Sequence, residues 1–224
     1  MEQRDILSPR QPGLSATEVE RRLTEGSAPG RRSSELADGR PRGDHDLNPD
    51  FYEPDRALIH AAVLVPIVER EAELTLLLTQ RTDHLDDHAG QISFPGGRIE
   101  TGDDGPEGAA LRETEEETGL PRDRVRLIGR LDTYVTRTGF EVTPVVGLVT
   151  PPFDLAPDSF EVAEIFEVPL GFFLDPGNCE RHSRFYEGKE RYFHAFPYGD
   201  YYIWGATAGM LVNLAEILAP GQGG

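Results

Sequence analysis

The residues best placed to do chemistry lie between 96 and 120, GGRIETGDDGPEGAALRETEEETGL. A helix through this stretch stacks Glu113, Glu116 and Glu117 along one stripe and turns Glu115 to the opposite side. Like charges at that spacing repel, so the stripe is tolerated only where solvent or divalent cations absorb the charge. A lone run of glutamates would read as a solvated helix face. Here Gly96-Gly97, the Arg112-Glu113 pair, the adjacent Glu116-Glu117 and the closing Gly119-Leu120 occur together. Ligands that are all oxygen, with no Cys or His in the stripe, suit Mg²⁺ or Mn²⁺ rather than zinc. Mg²⁺ held by one or two carboxylates completes its shell with water and substrate phosphate oxygens. The stripe therefore points to a phosphate substrate. Gly96 and Gly97 let the backbone approach such a ligand closely.

Composition agrees with this. The chain has 224 residues, 22 Lys+Arg against 40 Asp+Glu, and a formal charge of −18. That charge argues against nucleic acid or an anionic membrane as a partner, because a polyanion would be repelled. A bound metal supplies the positive charge that the protein lacks. The longest apolar stretch, 57–68, is interrupted by His60 and Pro66 and falls short of the roughly 20 residues a membrane span needs. Cys179 is the sole cysteine, which excludes an intrachain disulfide and suits a reducing, cytoplasmic setting.

The elements that must position the stripe follow from the pattern. Residues 57–68 read as a buried strand, 69–72 as a turn and 73–81 as a second strand. Residues 106–118 read as a helix with Pro106 in its first turn and Gly119 as its stop. Strands are expected at 125–135 and 140–149, an extended segment at 160–168, and a hairpin from 180–186 to 191–196 around Glu187-Gly188-Lys189. Residues 206–218 read as an apolar helix. Upstream, 14–25 suggest a short helix with Val19 and Leu23 on one face, followed by a loosely held arm through 56 that is rich in Gly, Ser, Pro and Arg. Three parts are expected: helix and arm over 1–56, a catalytic domain over 57–218, and a disordered tail over 219–224. Strands and helices mix without regular alternation, which favours an α+β fold with a mixed sheet.

The acidic segment resembles the Nudix box, G-x5-E-x7-R-E-U-x-E-E-x-G-U, with U an aliphatic residue. Residues 112–120 match its second half, with Thr114 at an aliphatic position. The first half departs from it. Five residues on from Gly97 comes Asp103, whereas eight back from Arg112 comes Asp104. The segment is one residue long, and an aspartate stands for the first glutamate. Upstream, Leu77-Leu78-Thr79-Gln80-Arg81 followed by 88–97, HAGQISFPGG, is similar to the signature of the coenzyme A pyrophosphatase branch. That signature often carries Ser or Ala after the Arg and a basic residue five after it, where this chain has Thr82 and Asp86. Segments 161–170 and 203–208 are similar to the same branch, so the resemblance spans about 57–218.

The resemblance implies a Nudix α/β/α sandwich and Mg²⁺- or Mn²⁺-dependent hydrolysis of a diphosphate. For coenzyme A or its acyl forms the products would be 4′-phosphopantetheine, or its acyl form, and adenosine 3′,5′-bisphosphate. Another nucleoside diphosphate derivative, such as a dinucleotide cofactor or ADP-ribose, is the rival substrate. A ligand-sensing module without hydrolysis is the rival role. Glu113, Glu116 and Glu117 are the expected metal ligands, with the Gly97 carbonyl as a fourth. Arg112 is expected to hold the helix acids. The general base is Glu116, or else Glu161 or Glu164, with Glu161 ranked ahead of Glu164. Arg81, His88, Gln91 and Gly96 are expected to contact the substrate, although loop packing would equally account for His88 and Gln91. A homodimer is a family-level expectation.

Overall fold

The computed structural model describes residues 13–26, 40–83, 90–186 and 188–219. Helix α1 (Ala16–Gly26) leads in, and β1 (Arg42–Gly43) follows. The domain then runs β2 (Ile59–Glu69), β3 (Leu74–Arg81), β4 (Ile92–Ser93), β5 (Gly96–Arg98), α2 (Gly105–Thr118), β6 (Val125–Arg130), β7 (Tyr134–Val135), β8 (Phe140–Val149) and β9 (Val162–Pro169). It closes with α3 (Leu170–Leu174), β10 (Glu180–Tyr186), β11 (Lys189–Tyr198), β12 (Tyr201–Trp204) and α4 (Ala206–Leu218).

Among the described residues, strands β1 to β9 form one mixed sheet with the path β1-β7-β8-β2-β3-β4, while β5 adds to β2, β6 to β8 and β9 to β3. β2 and β8 pair in parallel from Ile59↔Phe140 to Val68↔Val149. Strands β10, β11 and β12 form a separate antiparallel sheet. The alternation of β2 feeds two cores, because successive side chains leave opposite faces of a strand. Ala62, Leu64 and Val68 join Leu77, Ala109 and Ala110 under α2, whereas Val65 and Ile67 join Leu23, Leu76, Leu78, Leu211 and Leu214 under α1 and α4. Helices thus cover both faces, and the fold is α+β with a mixed sheet. No helix among the described residues is long and apolar enough to cross a membrane.

Two sequence expectations are corrected. The strand expected over 125–135 is broken into β6 and β7, with Leu131 buried between them. The expected loose arm is packed over 40–56, which carries β1 on β7 and two 3₁₀ turns, Asp44–Asp46 and Pro49–Phe51. His45 and Asn48 are buried there. The Asn48 amide donates to the Asp44 and Tyr192 carbonyls and accepts from the Tyr192 N–H, each at 2.9 Å. Asp50 accepts from Lys189 at 2.8 Å and from Arg191 at 2.7 Å. These contacts are polar and distant in sequence, so hydrophobic periodicity gives no sign of them. The rest of the expected arm before residue 40, and 220–224 of the expected tail, lie outside the described residues.

Candidate active site

Helix α2 begins after Asp104 and ends at Gly119, whose φ of 71° is the left-handed conformation that stops a helix at low cost. Ala109 and Ala110 seat the helix on the sheet, and the acids emerge along one border of that contact. Glu113 lies over Gly97, on β5. A methyl group at Gly97 would fall 2.4 Å from the Glu113 Cδ, so the missing side chain is what makes room for this carboxylate. Glu117 is buried and accepts from the Gly96 N–H at 3.2 Å. Glu115 points away and pairs with Arg122 at 2.6 Å.

Arg112 organises the outer part of the site. It bonds Glu113 at 2.9 Å, Glu116 at 3.2 Å and the Arg98 carbonyl at 3.2 Å. It also grips Asp103, whereas Asp104 stands at the helix cap and makes no side-chain capping bond. Arg112 holds the Asp103 carboxyl at about 2, well below the ordinary carboxylate range.

The acids nearest the sheet behave differently. Burial pushes the Glu117 carboxyl up to about 7; the charges of Glu161 and Glu113 add to this, and the Gly96 N–H and Arg81 oppose it. Burial also raises Glu113, with Glu116 and Glu161 adding to the rise and Arg112 opposing it. Glu161, just before β9, is therefore close enough to Glu113 and Glu117 to repel both.

Arg81, at the end of β3, places Nη1 4.0 Å from the Glu117 Oε1. Its Nε is buried with no hydrogen-bond partner among the described residues. Gln91 precedes β4, and its carbonyl accepts from the Arg81 N–H at 3.0 Å. His88 lies outside the described residues.

Glu164 is a correction. It sits opposite Gln80 in the β3–β9 ladder and accepts a hydrogen bond from the Tyr201 hydroxyl at 2.7 Å. Its neighbour Ile165 packs in the core under α2, so Glu164 leaves from the other face of the sheet and does not join the stripe. Asp103 is the participant that spacing left undecided. Its signal was present in the sequence as one of the two aspartates that the counting reaches.

As they stand, no three acidic, His or Cys side chains among the described residues form a ready cation cage. Glu113 and Glu116 lean on Arg112, while Glu117 turns inward to Gly96. The donor set still fits a hard divalent cation. Burial and the nearby Glu161 charge raise the Glu113 and Glu117 carboxyls, and a cation beside them would relieve both the desolvation and the repulsion.

The family profile described as "NUDIX domain" matches residues 58–187, more than half of the chain, and the chain belongs to the Nudix family. It is a Nudix diphosphatase, within a family whose hydrolases generally use divalent metal ions. The Escherichia coli K12 protein named "Uncharacterized Nudix hydrolase NudL" is 42% identical over 155 residues, covering 69% of this chain and 80% of that protein. Among solved structures, an Ap4A hydrolase binary complex of C. elegans gives a TM-score of 0.44 at 22% identity, over 50% of this chain and 80% of that one. A MutT/nudix family protein from Enterococcus faecalis gives 0.46 at 16% identity, over 91% and 74%.

Proposed function

We propose that the chain hydrolyses the diphosphate linkage of coenzyme A or acyl-coenzyme A with Mg²⁺ or Mn²⁺, giving 4′-phosphopantetheine, or its acyl form, and adenosine 3′,5′-bisphosphate. The observation that carries the reading is the meeting of Glu113, Glu117 and Glu161 beside Gly96-Gly97, with the unpartnered Arg81 Nε next to them. The choice of coenzyme A rests on the similarity of 77–81 and 88–97 to that branch.

Glu113, Glu116 and Glu117 would hold the metal, together with the Gly97 carbonyl. Such an ion neutralises diphosphate charge and lowers the pKa of a bound water. Arg112 keeps Glu113 and Glu116 aimed outward. Arg81 donates to a phosphate oxygen, and the Gly96 turn gives the substrate close access to the backbone. Glu161 takes the proton of the attacking water, since it stands beside the stripe and, among the described residues, has no side-chain hydrogen bond like those of Glu116 and Glu117.

The test is product analysis over a panel of coenzyme A, acetyl-coenzyme A, a dinucleotide cofactor and ADP-ribose, with Mg²⁺ and with Mn²⁺. Adenosine 3′,5′-bisphosphate should appear from the first two fastest. If coenzyme A is inert while the dinucleotide turns over rapidly, the branch assignment falls. In Glu116→Gln and Glu117→Gln turnover should collapse with the fold intact. Unchanged turnover in both would remove the metal assignment.

A further inference from the structure

On the face of the sheet away from α2 lies a cleft of about 640 Å³ that the diphosphate chemistry does not use. Its size falls in the range of small-molecule sites. Gln80, Glu164, Tyr198, Asp200, Tyr202 and Trp204 line it. The far wall is the turn from β11 to β12, and the near wall is the end of β3 with β4. Tyr201 stacks flat on Phe166 with ring centroids 3.7 Å apart and donates to Glu164, so that wall is fixed.

The chemistry of the lining selects its ligand. Among the described residues, no Lys or Arg lines the cleft, whereas Glu164, Asp200 and the tyrosines Tyr198, Tyr201 and Tyr202 do. A phosphate group would meet Glu164 and Asp200 with no cation to balance them. A chain carrying N–H donors and apolar methylenes would find carboxylate and hydroxyl acceptors, and ring faces to lie against.

The position of the cleft links it to the catalytic side. Gln80 and Arg81 are consecutive on β3. Arg81 reaches toward Glu117 on the α2 face, while Gln80 lines the cleft on the other. Thr82 then bonds the Glu161 and Phe160 carbonyls, at 3.0 and 2.8 Å. The two sites are neighbours around one end of β3, and a single substrate bent over that edge would occupy both.

We infer that this cleft receives the uncharged, amide-bearing arm of the substrate while the diphosphate lies at Glu113, Glu117 and Arg81. The inference rests on the coenzyme A reading, and its test separates the two. Saturation-transfer NMR with free pantetheine, which has no phosphate, reads the cleft without any turnover. Signal is expected with the wild-type protein and is lost in Tyr202→Ala and in Asp200→Lys; Tyr202 is 40% exposed, so the fold should withstand its truncation. In kinetics, Tyr202→Ala should raise KM for coenzyme A by about tenfold with kcat little changed. The inhibition constant of adenosine 3′,5′-bisphosphate, which lacks the arm, should stay the same. Pantetheine signal absent from the wild type, or unchanged in both variants, overturns the inference even if coenzyme A is hydrolysed. Pantetheine binding that both variants abolish, in a protein that leaves coenzyme A intact, supports the cleft and defeats the hydrolysis reading instead.

Discussion

Arg112 grips Asp103 through two parallel hydrogen bonds, Nε to Oδ1 at 2.8 Å and Nη2 to Oδ2 at 2.9 Å. Bidentate pairing of this kind fixes the plane of the guanidinium. It leaves Nη1 for Glu113 and Glu116, so the position of one aspartate is relayed to two acids of the stripe.

Removing the clamp should hurt activity before it hurts the fold. Asp103→Asn keeps the size and loses the charge. Glu113 and Glu116 are then less well held, and kcat/KM should fall by about tenfold to a hundredfold, as small misplacements in active sites do. Steady-state kinetics at saturating Mg²⁺, with circular dichroism as the control, check this.

The same pair predicts a pH dependence. Arg112 depresses the Asp103 carboxyl from 3.8 to about 2 in the folded protein. A carboxyl depressed by folding stabilises the native state above its unfolded value and loses that contribution as pH falls through the folded value. Wild type should therefore melt higher than Asp103→Asn at pH 6, and the gap should narrow from about pH 4 downward. Thermal melts of the two proteins across that range test the sign.

The two adjacent glycines should respond differently to alanine. At Gly97 the added carbon would strike the mobile end of Glu113, which can swing aside. That protein should keep its melting temperature and lose metal affinity, read by calorimetry with Mn²⁺. At Gly96 the φ is 152°, and the added carbon would lie 2.3 Å from the Ala62 carbonyl oxygen. Backbone has nowhere to go there, so Gly96→Ala should cost about 2 kcal/mol of stability, measured by urea unfolding.

Asn48 offers a prediction away from the chemistry. It is buried, and its amide ties the 44–50 segment to β11 with two hydrogen bonds to Tyr192 and braces the segment with a third to the Asp44 carbonyl. Asn48→Ala leaves buried backbone groups unsatisfied and should cost about 2 kcal/mol. Unfolding midpoints should drop while kcat at 25 °C stays near that of the wild type.

Within the acids themselves, Glu161→Gln should reduce kcat by at least about a hundredfold if it is the base. Glu115→Gln, on the far side of α2 in an exposed pair with Arg122, should leave kcat unchanged. Stopped assays of product formation at saturating substrate compare the two.

Spacing alone carried the stripe, its helix and its stop. Glu113, Glu116 and Glu117 share a face because the helical period puts them there, and Gly119 ends α2 because it tolerates a left-handed φ. The strands 59–69, 74–81 and 140–149 were legible because alternation and apolar runs are local properties of the chain. Tertiary structure decided everything that depends on which segments meet. It laid β2 beside β8 in parallel across about 80 residues of chain, and it folded 40–56 onto the domain through polar contacts that carry no periodic signal. It chose Asp103 over Asp104 for Arg112. It also brought Glu161, just before β9, near the stripe and turned Glu164 to the opposite face, which depends on the register of β9 with β3 and on the bulge at Gln80/Arg81.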